Sequence, residues 1–369
     1  MNKSNLNKKA GLKNIKTAHG SLKLPIFLPD ATRGIVKLCS SQDLRRVGIK
    51  AMVVNTFHLL LQPGMKIIKK AGGAHKFMNW HGPLVSDSGG FQIFSLIHQN
   101  PKMGRIYDDR VIFKSPLDGS KHELTPEKSI QIQFDLGVDM MVCLDDCPPN
   151  DFNQKDIARS VERTIVWAKK CKVEYEKQVK KRNLIKPERP LLLSVIQGGQ
   201  ELDLRKKCAD ELISIGFDGY GFGGRPIDKK GRFLSEALSY TADLIPDNSL
   251  RFALGIGLPE DIVRCANMGW HIFDCTIPTR EGRHGRLFNI RSGNEELRIK
   301  NFYNTININN SRFANDFSPI NENSRLPELR DYSKAYLHHL FKIKESFGQR
   351  LASLNNLEFY SDLMKKIKK

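Results

Sequence analysis

The sequence has no apolar run approaching the roughly 20 residues that a membrane-spanning helix needs, so we expect no membrane segment. Cysteine is scarce: the 369 residues include only seven, and no two of them form a Cys-x-x-Cys pair. An odd, scattered set of thiols argues against a disulfide framework and favours a reducing, cytoplasmic location. Residues 1–16 are polar and basic and lack an apolar core, so we expect no secretory signal peptide.

Acidic residues are few relative to basic ones. The chain has 40 Asp and Glu against 59 Lys and Arg, which gives a formal net charge of +19. One interpretation is a lysine-rich composition without functional meaning. The other is a polyanionic partner, and nucleic acid is favoured over a membrane surface.

Short apolar runs bounded by turn residues predict eight buried strands. They cover residues 24–28, 51–56, 83–86, 138–144, 191–196, 217–222, 252–256 and 270–273. Amphipathic spacing predicts helices between most of them, as where Ile157, Val161 and Ile165 recur every four residues. This alternation over about 250 residues predicts an α/β fold of the (β/α)8 TIM-barrel type, with a doubly wound open sheet as the alternative.

Two segments interrupt the alternation. Residues 99–122 are polar and turn-rich, and Asp118-Gly119 is a hairpin signal, so we expect a small β insertion there. Residues 293–323 are rich in Asn and weakly periodic, which predicts a loop-rich extension, while residues 332–369 return to helical spacing. We therefore predict a catalytic barrel domain over 1–292 and a C-terminal extension with a helical subdomain over 293–369.

Acidic residues follow several of the predicted strands, at the end where barrel enzymes place their active sites. Asp87 and Asp274 suit displacement at an acetal carbon, in which one carboxylate attacks and the other manages protons. Asp145 and Gln197 end two further strands and suit reading the edge of a purine, because a carboxylate accepts and an amide both donates and accepts. A buried Asp at a strand end can also be a structural cap or a member of an ion pair.

Two other motifs lead elsewhere and are weaker. The stretch Asp87-Ser88-Gly89-Gly90 is similar to a trypsin-like nucleophile region, but that fold is all-β and carries disulfides. Gly255-Ile256-Gly257 lacks the third glycine of a dinucleotide-binding loop. We therefore expect no dinucleotide and no other cofactor.

Taken together, the motifs resemble those of the tRNA-guanine transglycosylases, which exchange a guanine in tRNA for a 7-deazaguanine on the queuosine pathway. The resemblance runs from about residue 24 to residue 364. In the family's order it includes residues 54–59, 86–92, 118–120, 197–199, 223–224, 254–257, 273–275 and 278–280. It implies a (β/α)8 barrel, the anticodon loop of tRNA as partner, a free 7-deazaguanine-type base as second substrate, and no cofactor.

The resemblance also implies a role for each matched position. Asp274 corresponds to the nucleophile that attacks C1′ of the target ribose, and Asp87 to the general acid and base. The other matched residues have binding roles: Asp145, Gln197 and the Gly224 backbone for the base, Phe91 for stacking on it, Asn55 as a polar partner of the acid/base, and Arg280 and Arg283 for holding the anticodon loop.

The first departure from the family concerns a metal. Members usually carry a Cys-x-Cys-x-x-Cys and a later His that bind structural zinc, whereas the matching positions here are Ser324, Leu326, Leu329 and Asn355. A structural zinc site takes four ligands, so we expect a zinc-free subdomain and no metal. Family members form homodimers partly through that subdomain, so the change weakens the expectation of a homodimer.

Two further departures lie near the predicted site. After Gly224 the family commonly has Leu-Ala-Val-Gly-Glu, whereas residues 225–229 here are Arg-Pro-Ile-Asp-Lys, which leaves the incoming base open. Asp30 and Ala31 replace the commoner Val-Gly, at positions outside the roles above. Two alternative functions therefore stay open: a non-catalytic tRNA-binding partner subunit, and base exchange on another nucleic acid such as DNA.

Overall fold

The computed structural model describes residues 12–149, 152–291 and 302–368. Its strands, in chain order, are β1 (Asn14–Thr17), β2 (Gly20–Lys23), β3 (Ile26–Pro29), β4 (Met52–Val54), β5 (Leu84–Ser86), β6 (Gly104–Ile106), β7 (Val111–Lys114), β8 (Lys121–Leu124), β9 (Met140–Val142), β10 (Leu191–Ile196), β11 (Gly219–Phe222), β12 (Leu250–Ala253), β13 (Ile272–Cys275), β14 (Arg286–Ile290) and β15 (Tyr303–Asn307).

Helices separate most of these strands. They are α1 (Ser41–Arg46), α2 (Thr56–Leu59), α3 (Met65–Ala71), α4 (Ala74–Met78), α5 (Gly90–Gln99), α6 (Pro126–Leu136), α7 (Gln154–Lys181), α8 (Leu202–Ile215), α9 (Ser235–Leu244), α10 (Pro259–Asn267), α11 (Ile277–Arg283), α12 (Pro327–Asp331), α13 (Lys334–Lys342) and α14 (Ser346–Ile367). A π-helical turn at Leu60–Gly64 and 3₁₀ turns at Pro101–Met103 and Ser311–Asn315 complete the helical segments.

Eight parallel strands form the barrel, and their order around the ring is β3-β13-β12-β11-β10-β9-β5-β4. The ring closes where Asp30, just after β3, bridges Val53 of β4, and the Ala31 N–H donates to the Val53 carbonyl at 2.7 Å. A closed parallel ring confirms the predicted TIM barrel and excludes the doubly wound open sheet.

The barrel strands are buried on both faces, which explains why the sequence shows each of them as a short continuous run of apolar residues. One set of side chains fills the interior, including Leu28, Val85 and Met140, each at most 1% exposed. The other set packs against the surrounding helices, where residues such as Trp167 and Leu212 are fully buried. Because packing fixes these strands, the loops at their carboxyl ends are held at defined positions.

Two antiparallel sheets are added to the barrel. Strands β6, β7 and β8 form a three-stranded sheet in the region where the sequence predicts an insertion. Strands β14 and β15 form a ribbon in which Arg286 pairs with Asn307. Strand β15 lies within the segment predicted to be loop-rich, and backbone pairing with β14 holds this polar, Asn-rich strand without an apolar alternation.

The C-terminal helix α14 packs along α11 and β14, with Leu351, Leu354 and Leu357 fully buried. It therefore supports the segment that follows the last barrel strand. Within the described part of the chain, no helix is both long enough and apolar enough to cross a membrane.

Candidate active site

A cavity of about 440 Å³ opens at the carboxyl ends of the barrel strands. Four carboxyl groups from the described residues line it: Asp30, Asp87, Asp145 and Asp274. They come from the ends of β3, β5, β9 and β13, so the barrel brings together residues far apart in the sequence. This convergence agrees with the expectation that the strand-end acids meet at one edge of the barrel.

Four donors hold the Asp87 carboxylate. The Asn55 amide donates to one oxygen at 2.5 Å, and the Gln92 amide reaches the same oxygen at 3.3 Å. The backbone N–H groups of Thr56 and Gly89 donate to the other oxygen at 3.0 and 3.2 Å. Gly89 has a φ of +79°, a conformation that other residues rarely adopt, so the tight turn after β5 depends on glycine. The carboxylate is therefore fixed in orientation.

Burial raises the pKa of Asp87 to about 7, and the hydrogen bonds from the Thr56 and Gly89 N–H groups oppose part of this shift. A negative charge on Asp30 raises it further. A carboxyl group that titrates near neutral pH can both give and take a proton, which is the property of a general acid and base.

Asp274 has fewer partners than Asp87. One of its oxygens accepts the Gly255 N–H at 2.8 Å, and no other hydrogen bond reaches the carboxyl group from the described residues. Burial raises the pKa of Asp274 to about 8, and the charges of Asp30 and Asp87 add to the shift. The ionised form would carry an oxygen free to contact a ligand in the cavity.

Asp145 lines the opposite side of the cavity, and its partner Gln197 is buried behind it and lines a smaller neighbouring pocket instead. The Gln197 amide donates to Asp145 at 2.7 Å, and burial raises the pKa of Asp145 to about 7. A Cβ on Gly223 would lie 2.5 Å from the Gln197 amide carbon, so only glycine lets β11 pass this close. Gly224 follows with a φ of +96°, which points the turn along the cavity wall. A carboxylate and an amide side by side suit the donor-rich edge of a purine.

The predicted stacking and RNA-binding residues lie in different places. Phe91, in the first turn of α5, lines the cavity with its side chain 47% exposed, so its ring is accessible. Arg280 also lines the cavity and is exposed, with its nearest carboxylate, that of Glu281, at 3.5 Å. Arg283 does not line it: this residue is half-buried, and its Nη1 has no hydrogen-bond partner among the described residues.

Sequence reasoning missed several groups that shape the site. The N–H groups of Thr56 and Gly255 hold the two central acids, and a backbone donor leaves no signature in residue type. Gln92 stood inside a matched stretch but had no role assigned. Asp30 was noted as a departure without a function, because the sequence does not show that this residue lines the cavity.

The positions of the family's zinc ligands do not fit zinc. The Ser324 hydroxyl donates to the Glu358 carboxylate, and Leu326 and Leu329 are 2% and 0% exposed within the apolar core. The Asn355 amide donates to a backbone carbonyl at 3.0 Å. Two leucines and two neutral polar groups engaged elsewhere cannot supply the thiolates and imidazole that tetrahedral zinc requires.

One group of possible metal-ligating side chains lies together among the described residues. His19, His75 and Asp139 have ligand atoms within 4.8 Å of one another, at the amino end of the barrel. Both Asp139 oxygens already accept backbone N–H groups, from His19 at 3.0 Å and Leu84 at 2.9 Å. The His75 Nε2 lies 3.0 Å from the Gly82 carbonyl. These contacts already engage both Asp139 oxygens and the His75 ring in hydrogen bonds.

The fold and the cavity define a class of protein. A closed parallel barrel with functional side chains at its carboxyl end is the architecture of TIM-barrel enzymes. Two carboxyl groups in one cavity, with different hydrogen-bond partners, are typical of enzymes that carry out displacement at a glycosidic carbon. The molecule is therefore a barrel enzyme with the site of a glycosyl-transferring protein.

Comparison with known proteins gives the family. A family model described as Queuine tRNA-ribosyltransferase matches residues 7–369. The chain is 39% identical to the queuine tRNA-ribosyltransferase of Halothermothrix orenii over 363 residues, which cover 98% of this chain and 90% of that protein. Proteins of the same name from Staphylococcus haemolyticus and Caldanaerobacter subterraneus are also 39% identical, over 96% and 98% of this chain and 87% and 89% of their own lengths. The chain belongs to this family, and it is a glycosyltransferase of the pentosyltransferase type.

Proposed function

We propose that this enzyme replaces the wobble guanine of a tRNA anticodon with a 7-deazaguanine base, through a covalent bond between Asp274 and the ribose. The observation that carries the proposal is the pairing of Asp274 and Asp87 in one cavity, with a different set of partners for each. Relatives named for ribosyl transfer on tRNA, and the net charge of +19, support RNA as the substrate.

In the first step, an oxygen of Asp274 attacks C1′ of the target ribose, in the fraction of molecules in which Asp274 is ionised and Asp87 is protonated. The C1′–N9 bond breaks, its electron pair goes to the guanine, and Asp87 donates a proton to the departing base. The Gly255 N–H holds one Asp274 oxygen at 2.8 Å, so the other is available for attack. The product is a ribosyl ester of Asp274, and dividing one displacement into two lowers the barrier of each.

In the second step, Asp87 takes the N–H proton of the incoming base, and that nitrogen attacks C1′. The bond from C1′ to Asp274 breaks, and its electron pair returns to the carboxylate. Two displacements at the same carbon keep the sugar configuration. Asp87 serves as acid and then as base, which suits a pKa of about 7.

The remaining residues bind the two substrates. Asp145 and Gln197 accept from and donate to the edge of the base, the Gly224 backbone approaches it, and Phe91 stacks on its face. A loop nucleotide can be splayed out and read in this way without melting a helix. Arg280 at the rim of the cavity and Arg283 outside it are proposed to hold the anticodon loop.

Base exchange with labelled guanine tests the proposal. Purified protein is incubated with radiolabelled guanine and unmodified tRNA, and in parallel with DNA. We expect incorporation into tRNA alone, and none with Asp274→Asn. The matched control is Asp210→Asn on α8, where the side chain is 57% exposed and pairs with Lys206 away from the cavity. Incorporation into neither nucleic acid would rule out the proposed activity, and incorporation into DNA alone would change its substrate.

We also infer that residues 293–369 form a C-terminal unit that folds without zinc. The buried leucines at 326 and 329 supply apolar packing where the family has metal ligands. Elemental analysis should give no stoichiometric zinc, whereas one tightly held zinc per chain would contradict the inference. The homodimer that the resemblance implies stays a prediction, and the molar mass in solution tests it.

A further inference from the structure

Of the carboxyl groups that the described residues bring to the cavity, Asp30 is the one that the proposed reaction does not use. It lines the same cavity as Asp87 and Asp274, directly after β3. No hydrogen bond or ion pair reaches its side chain from the described residues. Asp30 is half-buried. A carboxyl group that is partly removed from water and left unpaired costs stability, and such groups concentrate at functional sites.

The register of the barrel places Asp30 beside the nucleophile. Strands β3 and β13 are neighbours, with Asp274 opposite Leu28 and Cys275 opposite Pro29, so Asp30 follows directly on this pairing. On its other side Asp30 bridges Val53 of β4. Burial raises the pKa of Asp30 to about 6, the lowest of the raised values at Asp30, Asp87 and Asp274.

The order of strands around the ring divides the cavity into two sides. The base-binding groups Asp145, Gln197 and Gly224 follow β9, β10 and β11, which are consecutive in the ring. Asp30 follows β3, which lies next to β13 and opposite β10 in the closed ring. When C1′ lies at Asp274 and the base extends toward β9–β11, the rest of the ribose extends toward β3 and Asp30.

We propose that Asp30 accepts a hydrogen bond from the 2′-hydroxyl of the target ribose and thereby selects RNA over DNA. The 2′-hydroxyl is carried by the carbon bonded to C1′, so it is the sugar hydroxyl nearest the Asp274 oxygen that attacks. A carboxylate accepts such a bond strongly, and a 2′-deoxyribose would leave the charge unpaired. The inference rests on the proposed base exchange and adds a determinant of its substrate.

The test compares two anticodon stem-loops that differ at one atom. Each carries the target guanine, on ribose in one and on 2′-deoxyribose in the other, and kcat/KM for guanine exchange is measured on both. The ribo-to-deoxy ratio is kcat/KM on the ribose stem-loop divided by kcat/KM on the 2′-deoxyribose stem-loop. It is compared among wild type, Asp30→Val and Asp30→Asn, with Asp210→Asn as control. The intrinsic reactivities of the two sugars are the same for every variant, so they cancel when the ratios are compared.

Replacing Asp30 by Val should lower the ribo-to-deoxy ratio about tenfold or more, the effect of losing a hydrogen bond to a charged group. Asp30→Asn keeps an acceptor oxygen and should give an intermediate ratio, and Asp210→Asn should leave the ratio unchanged. If Asp30→Val does not fold, the ratio for Asp30→Asn decides alone, and an unchanged value there contradicts the proposal. If the wild-type enzyme exchanges guanine and the ribo-to-deoxy ratio is the same in wild type and in every variant, this inference is wrong and the proposed function stands. If the wild-type enzyme exchanges guanine on neither stem-loop, the proposed function itself is wrong.

Discussion

Two aspartates at opposite ends of one barrel have opposite surroundings. Asp139 precedes β9 at the amino end, where two backbone N–H groups and the rings of His19 and His75 surround it. Asp274 lies in β13 at the carboxyl end, where one N–H group and two other carboxyl groups surround it. Burial would raise both pKa values, but hydrogen bonds from His75 and Leu84 and the charge of His19 lower the pKa of Asp139 to about 2, whereas that of Asp274 rises to about 8.

The contrast separates stability from function. An ionised Asp139 is satisfied on all sides and ties the β1–β2 hairpin to β5 and β9, so it stabilises the amino end. Carboxyl groups crowded at the other end destabilise the fold by mutual repulsion and burial. Such an arrangement is kept where a reaction needs it, which is the division of roles between the two faces of a TIM barrel.

The largest expected effect is that of Asp274→Asn. Removing the proposed nucleophile should reduce base exchange on the order of 10³-fold or more, measured with radiolabelled guanine and tRNA. The pKa of Asp274 is raised in the folded state, so its contribution to stability is present below about pH 4 and is lost as pH rises through about 8. The variant should therefore unfold at a temperature no lower than wild type at pH 8. Near-normal exchange would contradict the assignment.

Asp87→Asn should have the next largest effect. An amide cannot transfer the proton, so turnover should fall about 10²–10⁴-fold, while the affinity for tRNA should change much less. Single-turnover exchange and filter binding measure the two quantities separately. Equal losses in turnover and affinity would show that Asp87 binds the substrate rather than moving a proton.

Asp139→Asn should reverse the pattern, with activity kept and stability lost. The pKa of Asp139 is lowered in the folded state, so its stabilisation is present above about pH 4 and is lost as pH falls through about 2. From this shift we expect about 2 kcal/mol of destabilisation at pH 7, measured by urea unfolding. Asp210→Asn is the control, and an Asp139 variant as stable as wild type would break the comparison between the two ends.

The carboxyl end of the barrel could largely be predicted from the sequence, whereas the amino end could not. All eight barrel strands were located within a few residues, because a strand buried on both faces gives a short apolar run bounded by turn residues. The Asp139 cluster was not accessible, because His19 and Asp139 are 120 residues apart and meet only when the hairpin folds under the barrel. Asp30 was visible as a departure, but its place beside Asp274 depends on strand register.

The smallest expected effect concerns the rim of the cavity. Arg280 is exposed there, and a phosphate contact would release counterions, so Arg280→Ala should reduce the slope of log affinity against log salt by about 1. Half-buried Arg283 is the natural comparison, and Arg283→Ala should change the slope less and the stability more. An unchanged slope in the double variant would show that the RNA follows another route.

The most direct test of the account is to locate the covalent bond. The enzyme is incubated with tRNA without incoming base, denatured, and digested with nuclease and trypsin, and its peptides are analysed by mass spectrometry. Cleavage after Arg264 and Arg280 releases residues 265–280 with Asp274, and a separate peptide, 77–102, contains Asp87. We predict a ribosyl adduct on peptide 265–280 and none on peptide 77–102. An adduct on the Asp87 peptide, or no adduct on either while exchange proceeds, would contradict the assignment of Asp274 as the nucleophile.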